Sequence, residues 1–324
     1  MTQAPDLSII IINWKSADFL RKCLQSIFAN ASDLSFEVIV VDNASFDGSA
    51  ELVEREFPGV RFVQSTENLG FAGANNLGVR SAKGRNVLFL NPDTEVIGTA
   101  LELMSSFLDA TPNAGVVGCK LLNSDFSIQT SCIQAFPTIL NQALDAEALR
   151  KMFPKARLWG MRPLFEDGSE PTVVEVVSGA CLMIRRSVFE ETGLFNTDYF
   201  MFSEDVDLCF RTKQTGWNTY YVGRAVVIHL GGQSSRSKGE KNFADVLMRE
   251  SRLTYFRQRR GTIYAAAFRI TTGFVALARV VLLGGFLVLT VGKVRADSIR
   301  RAFAKWSNIL RWSLGSEEFA KHRA

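Results

Sequence analysis

The chain has 324 residues, 47% hydrophobic and 22% charged, so a sizeable core and one large or two ordinary domains of about 100–200 residues each are within reach. This excludes a disordered chain, a collagen and a disulfide miniprotein; five scattered cysteines (Cys23, Cys119, Cys132, Cys181, Cys209), never spaced Cys-x-x-Cys, speak against a disulfide framework or a cysteine zinc site and for a reducing compartment. The net charge of +4 hides a division, since residues 1–248 carry 22 Lys and Arg against 29 Asp and Glu while residues 249–324 carry 15 against 4.

Short β-branched runs at 7–12, 36–41, 60–63, 86–90 and 115–118 read as strands, and being apolar nearly throughout they are expected to be buried on both faces. Between them 17–29, 48–57, 71–82 and 99–110 read as helices, with breaks at Pro58-Gly59 and Pro112-Asn113. Such alternation predicts an α/β fold, a Rossmann-like, mostly parallel central sheet with flanking helices and a ligand at the carboxyl ends of the strands. Residues 121–172 carry the weakest pattern, a loop-rich stretch with helix around 140–151. A strand signal follows at 173–185, a short segment at 187–192, a helix at 204–215 and a strand at 220–230. Residues 231–241 (GGQSSRSKGEK) are small and polar and read as mobile.

The basic end calls for a polyanionic partner, nucleic acid or anionic lipid. Residues 270–292 are apolar but for Arg279, with Arg257, Arg259, Arg260, Lys293, Arg295, Arg300 and Arg301 flanking them, which favours lipid and argues against nucleic acid. The length suffices to span a bilayer, yet Arg279 would sit near its middle and positive charge on both sides gives no orientation. The reading is therefore of helices lying in or dipping into the cytoplasmic interface of the inner or plasma membrane, peripheral or monotopic, held on anionic headgroups. A buried core helix is the alternative. No signal peptide is read at the N-terminus, which lacks a basic n-region. The expected partition is a catalytic body over 1–241, with a nucleotide and donor half to about 120 and an acceptor half over about 121–241, then a helical membrane-associating tail over 242–324.

Three common chemistries lack their signatures. The first strand runs into Asn13-Trp14-Lys15 without a glycine fingerprint, and neither Gly-x4-Gly-Lys-Ser/Thr nor Gly-x-Ser-x-Gly occurs. Instead the strand ends are polar and acidic. Residues 41–49 (VDNASFDGS) offer carboxylate and amide groups suited to a base or ribose, with Asp47 placed as a helix N-cap; an Asx turn would use the same residues. In 90–94 (LNPDT) a rigid turn presents Asp93 beside Asn91, where a hard cation such as Mg²⁺ or Mn²⁺ could share its oxygen shell with substrate phosphates, or where Asp93 only caps a helix. Residues 204–208 (EDVDL) open a helix; Asp207 and Arg211 form an i, i+4 pair, which makes Asp207 structural and leaves Asp205 free. His229 ends a strand, as a structural group or as a metal or phosphate ligand.

Taken in order, VDNASFDGS at 41–49, NLGFAGANN at 68–76, LNPDT at 90–94, EDVDL at 204–208 and then His229 resemble glycosyltransferase family 2 of the GT-A fold, particularly its rhamnosyltransferase-like bacterial branch, over roughly the first seven-tenths of the chain. The resemblance implies transfer of a sugar, rhamnose favoured, from a nucleoside-diphosphate donor (dTDP- or UDP-linked) to a hydroxyl of a lipid-linked saccharide acceptor, with inversion, in cell-surface polysaccharide synthesis. It implies Asp205 as general base, Asp93 and His229 as ligands of a divalent cation, and Asn13, Asp42, Asn43, Asn68, Gly70, Phe71, Asn75 and Asn91 on the nucleotide and donor side. Asn91 stands where many members carry the first Asp of Asp-x-Asp, and Asn196-Thr197 replaces an Asp-Glu pair common before the acidic motif. A nucleotidyltransferase, which would release pyrophosphate, and a non-catalytic membrane-attached assembly partner are the competing readings.

Overall fold

The computed structural model describes residues 4–31, 34–166, 170–231, 241–289 and 296–316. The expected mobile segment at 231–241 thus lies almost wholly outside the described residues, as do residues 290–292 of the apolar run. Two compact units emerge, one of residues 1–136, 150–200 and 204–234, the other of 137–149, 201–203 and 235–324.

In the first unit the chain runs β1 (Leu7–Asn13), α1 (Ala17–Asn30), β2 (Phe36–Asn43), α2 (Ser49–Glu56), β3 (Arg61–Ser65), α3 (Gly70–Val79), β4 (Asn86–Leu90), β5 (Thr94–Ile97), α4 (Ala100–Ala110) and β6 (Ala114–Leu122). After β7 (Ile133–Gln134) the second unit's α5 (Ile139–Ala143) intervenes. Then come α6 (Glu147–Met152), β8 (Thr172–Val174), β9 (Val176–Val177), β10 (Cys181–Arg185), α7 (Arg186–Glu191), α8 (Glu204–Gln214) and β11 (Asn218–His229).

The central sheet has nine described strands in the order β3-β2-β1-β4-β10-β6-β11-β5, with β8 on β11. From β3 to β4 it is parallel, as the alternation predicted. Beyond β4 the sheet is mixed: β10 inserts antiparallel between β4 and β6, and β5 runs antiparallel to β11. The antiparallel strands have a direct effect on the site, because the start of β10 and the end of β11 both reach the edge where β1, β2 and β4 end. Every residue of β1 and β4 is buried, as expected of apolar strands covered on both faces. Helix α1 buries Leu20, Cys23, Leu24 and Ile27, one stripe at helical spacing. Helix α3 lies so close to the sheet that a Cβ at Gly78 would stand 2.7 Å from Ile10 Cγ2.

The stretch 173–185 read as one strand signal is broken into β8, β9 and β10. Asp47 also differs from expectation: the cap of α2 is Gly48, in the left-handed region at φ 83°. The Asp47 carboxylate instead bridges two helix starts, accepting from the Ala17 amide at 3.0 Å and the Ser49 amide at 3.3 Å.

The second unit gathers α5 with α9 (Lys241–Arg260), α10 (Thr262–Leu289) and α11 (Ala296–Ser313). Thr138 and Asn141 form a reciprocal capping box at the start of α5, and the Ile139 amide donates to Tyr264 Oη at 3.1 Å, joining this short helix to α10. Phe256, Phe268 and Trp312 pack in sequence, with ring centroids 4.8 and 6.4 Å apart. Helix α10 is long and apolar enough to cross a membrane. Ile270, Phe274, Leu277 and Val281 are exposed along one side of it. At 3.6 residues per turn Arg279 leaves the opposite side, where its guanidinium sits 4.0 Å from the Trp306 ring centroid.

Candidate active site

The site assembles at the carboxyl edge of the sheet from three side-chain groups. The first is a rung across β1, β2 and β3, where Asn13, Asp42 and Gln64 are direct register partners. Asp42 accepts from Asn13 Nδ2 at 2.8 Å and Gln64 Nε2 at 2.7 Å, from the amides of Ser45 and Phe46 at 3.1 and 3.2 Å, and from the Ser45 hydroxyl. Burial works to raise its pKa, but the hydrogen bonds from Ser45, Gln64, Asn13 and Phe46 prevail and hold it below the usual carboxylate range. Asn13 and Asp42 are both fully buried. Their polar atoms are engaged in shaping the loop after β2.

The second group links β2 to the start of α3. Asn43 donates to Asn68 Oδ1 at 2.8 Å and accepts from the Leu69 amide at 2.8 Å, and Asn68 Oδ1 also takes the Gly70 amide at 3.0 Å. Gly70 is left-handed at φ 67°, and a Cβ there would lie within contact of the Phe200 carbonyl, which accepts from the Phe71 amide at 2.8 Å. Phe71 packs edge-on against Phe195 at 5.9 Å. Asn75 donates to the Phe71 carbonyl at 2.9 Å while its buried Oδ1 finds no partner among the described residues.

The third group carries the acidic chemistry. Thr94 Oγ1 closes the Asn91-Pro92-Asp93 turn on the Asn91 carbonyl at 2.7 Å, and Cys23, whose thiol burial pushes up to about 12, stays protonated beside it. The pairing of Thr94 with His229 between β5 and β11 then brings His229 Nε2 to 3.4 Å from Asp93 Oδ1 and 3.3 Å from Asn91 Nδ2. Asp93 is buried at 6% exposure, so its carboxylate has little water to rely on. A carboxylate oxygen beside an imidazole nitrogen is a mixed donor pair, in which the carboxylate suits Mg²⁺ or Mn²⁺ and the imidazole a softer dication. Among the described residues no set of three or more His, Cys, Asp and Glu side chains could hold a metal.

Asp205 sits in the first turn of α8. It is not free as the spacing suggested, since Oδ2 accepts from the Gly179 amide at 3.0 Å and Oδ1 from the Val206 amide at 2.8 Å. Asp207 is the structural partner the spacing predicted, fully buried and bonded to Arg211 at 2.8 Å. Gly179 lies between Asp205 and Phe71: a Cβ on it would stand 3.4 Å from Asp205 Cβ and 3.5 Å from Phe71 Cζ. The next residue, Ala180, accepts from the Asn91 amide at 3.0 Å, which ties the Asp205 side of the edge to the Asp93 side. Gln64, Gly179, Ala180 and Gln129, the last 2.8 Å from His229 Nδ1, are absent from the motifs and come into play only through strand register and long-range pairing.

Chemically, this edge offers an anchored carboxylate for proton transfer, an oxygen and nitrogen pair for a cation, and a loop rich in amides. Comparison with known proteins gives a consistent result. The family model described as glycosyl transferase family 2 matches residues 8–193, and that described as glycosyl transferase family group 2 matches residues 138–312. An N-acetylglucosaminyl-diphospho-decaprenol L-rhamnosyltransferase of Mycobacterium tuberculosis is 28% identical over 71% of this chain and 77% of that protein. The rhamnosyltransferase WbbL of Escherichia coli is 26% identical over 72% and 87%. Among solved structures, a mannosyltransferase of Pyrobaculum calidifontis in complex with GDP-Man and Mn²⁺ superposes with a TM-score of 0.60 at 18% identity, covering 97% of this chain and 88% of that one, a likeness of fold.

Proposed function

The chain belongs to glycosyl transferase family 2 and is a glycosyltransferase, and from that premise we propose that it moves a sugar, rhamnose favoured, from a dTDP- or UDP-linked donor to a hydroxyl of a lipid-linked saccharide. The relatives named rhamnosyltransferases support the sugar, and the decaprenol-linked substrate in the name of one of them supports a lipid-borne acceptor. The observation that carries the chemistry is the meeting of Asp93 and His229 at the same sheet edge as Asp205.

In this reading Asp205 takes the proton from the acceptor hydroxyl as its oxygen bonds to the anomeric carbon. The bond from that carbon to the diphosphate oxygen breaks on the opposite side, so the configuration inverts. The two amide contacts on Asp205 fix its orientation and leave lone pairs on both oxygens for the incoming proton. Asp93 and His229 hold a divalent cation, which when bound supplies positive charge against the departing diphosphate. Asn43, Asn68, Gly70, Phe71 and Asn75 line the donor side. Asn13 and Asp42 serve the nucleotide through the loop they organise, and Asn91 through its amide beside His229.

Residues 1–241 carry the catalysis in this proposal, and 242–324 hold the protein on the cytoplasmic leaflet. The exposed stripe of α10 supports that attachment, as does the excess of basic residues from Arg249 onward. Arg279, turned away onto Trp306, leaves the stripe uninterrupted.

The test is turnover of purified protein in detergent with a panel of dTDP- and UDP-sugars, a polyprenyl-diphosphate saccharide and Mg²⁺ or Mn²⁺, with the product linkage read by NMR. Nucleoside diphosphate release together with an inverted glycosidic bond is expected. Release of pyrophosphate, or retention of configuration, would overturn the proposal.

A further inference from the structure

Behind His229 lies a chain of hydrogen bonds that belongs to none of the motifs. Its far end is Asp125, whose ionised carboxylate can only accept; the Ser127 hydroxyl donates to it at 2.6 Å. With its one proton committed, Ser127 Oγ must accept from Asn123 Nδ2 at 2.9 Å. That orientation leaves Asn123 Oδ1 to accept from Gln129 Nε2 at 3.0 Å, and the same Gln129 nitrogen donates to the His229 carbonyl at 2.8 Å. Two carbonyl acceptors thus fix which end of the Gln129 amide is nitrogen, a choice otherwise ambiguous for such a side chain. Gln129 Oε1 is left facing His229 Nδ1 at 2.8 Å, and an oxygen there requires that Nδ1 carry the proton.

We propose that Gln129 is a positioning residue of the site: oriented through Asn123, Ser127 and Asp125, it holds neutral His229 as the Nδ1–H tautomer and leaves the Nε2 lone pair facing Asp93. At the opposite end of the ring the Asn91 amide lies 3.3 Å from Nε2, and with its nitrogen toward the ring it can donate to a bare Nε2. A lone pair 3.4 Å from a buried carboxylate oxygen is a repulsive arrangement in the absence of positive charge between them. A cation relieves it, which is why the fixed tautomer matters: the alternative would turn an N–H toward the cation. Imidazoles that ligate metals commonly donate their second N–H to a carbonyl or carboxylate in this way. The metal half of the inference rests on the proposed roles of Asp93 and His229; the tautomer half does not.

The chain has only two histidines, His229 and His322, so the imidazole nitrogens of the full-length protein labelled with ¹⁵N-histidine can be assigned with a His322→Gln variant. Long-range ¹H–¹⁵N spectra are recorded without metal, well above the usual imidazole pKa of about 6.5. Expected is a pyrrole-type Nδ1 and a pyridine-type Nε2 for His229. Gln129→Met and Asn123→Leu should both move it toward the mixture of tautomers of a free imidazole. An Nε2–H tautomer in the wild type would overturn the proposal, as would an unchanged pattern in whichever of Gln129→Met and Asn123→Leu folds. In a second arm, Mn²⁺ titration in the presence of nucleoside diphosphate should be about 10–100-fold weaker for Gln129→Met. Wild-type protein that fails to bind Mn²⁺ while holding the Nδ1–H tautomer defeats the cation reading and leaves the positioning role standing; an undiminished Mn²⁺ affinity in Gln129→Met removes Gln129 from metal binding.

Discussion

A carboxylate that accepts one backbone N–H on each oxygen is held in place and still has lone pairs to offer, and Asp205 is so held. Asp205→Asn keeps the size, gives up one of the two backbone contacts and removes the proposed proton acceptor, so kcat should fall by about 10²–10⁴ while nucleotide affinity, read by calorimetry, stays near wild type. Asp42 has the opposite character, fully buried with its oxygens already taken. In Asp42→Asn any orientation of the amide turns an N–H toward other donors, a cost of about 1–3 kcal/mol in urea unfolding. Because the hydrogen bonds keep the Asp42 pKa below its ordinary value, its ionised form stabilises the fold above about pH 3.9, and that contribution is lost as pH falls through the lowered value. The stability gap between wild type and Asp42→Asn should thus be constant from neutral pH to about 3.9 and close below it. The acidic and amide residues themselves were legible as motifs, because Asn68, Gly70, Asp93 and Asp205 stand in short contiguous runs. Gln64 and Gln129 were not: one matters through register on a neighbouring strand, the other through a bond to a residue a hundred positions away, and neither leaves a local trace.

At the scale of elements, the edge strand β3 is only partly buried although its run promised burial on both faces, whereas at β1 and β4 short β-branched runs bounded by turns mark buried strands by length and composition. Residues 121–172 resisted for the converse reason. Strand β7 has two residues, α5 has five and is fixed by its Thr138 cap and by Tyr264, and the Phe136 amide is satisfied by Glu175 from a distance. Short pieces of this kind owe their conformation to tertiary partners, which periodicity does not register. The antiparallel entry of β10 was equally silent, since strand direction has no compositional mark. Where α3 meets β1 the constraint is steric: Gly78→Ala would bring a methyl within 2.7 Å of Ile10 and 3.1 Å of Val41, and is expected to cost about 1–3 kcal/mol of unfolding free energy, read by urea titration, without altering nucleotide affinity.

For the whole molecule, the division of charge foreshadowed the division of labour proposed here, an acidic body and a basic, lipid-seeking end. Phe274 and Val281 are 70% and 65% exposed, a poor state for apolar side chains in water. Replacing both with Asp should strongly reduce co-sedimentation with vesicles containing anionic lipid, while wild-type binding weakens but persists at high salt, because only its electrostatic part is screened. Full release of the wild type by salt alone would leave the apolar stripe without a part in attachment.

Helix α10 is 28 residues long, about 42 Å at 1.5 Å per residue. In the attachment proposed above, a protein lying along a leaflet by such a runner would search for a lipid-borne alcohol in two dimensions. Its apparent KM for that substrate then follows mole fraction in the bilayer and not bulk concentration, so diluting vesicles with inert lipid at fixed substrate should slow it, whereas adding buffer should not.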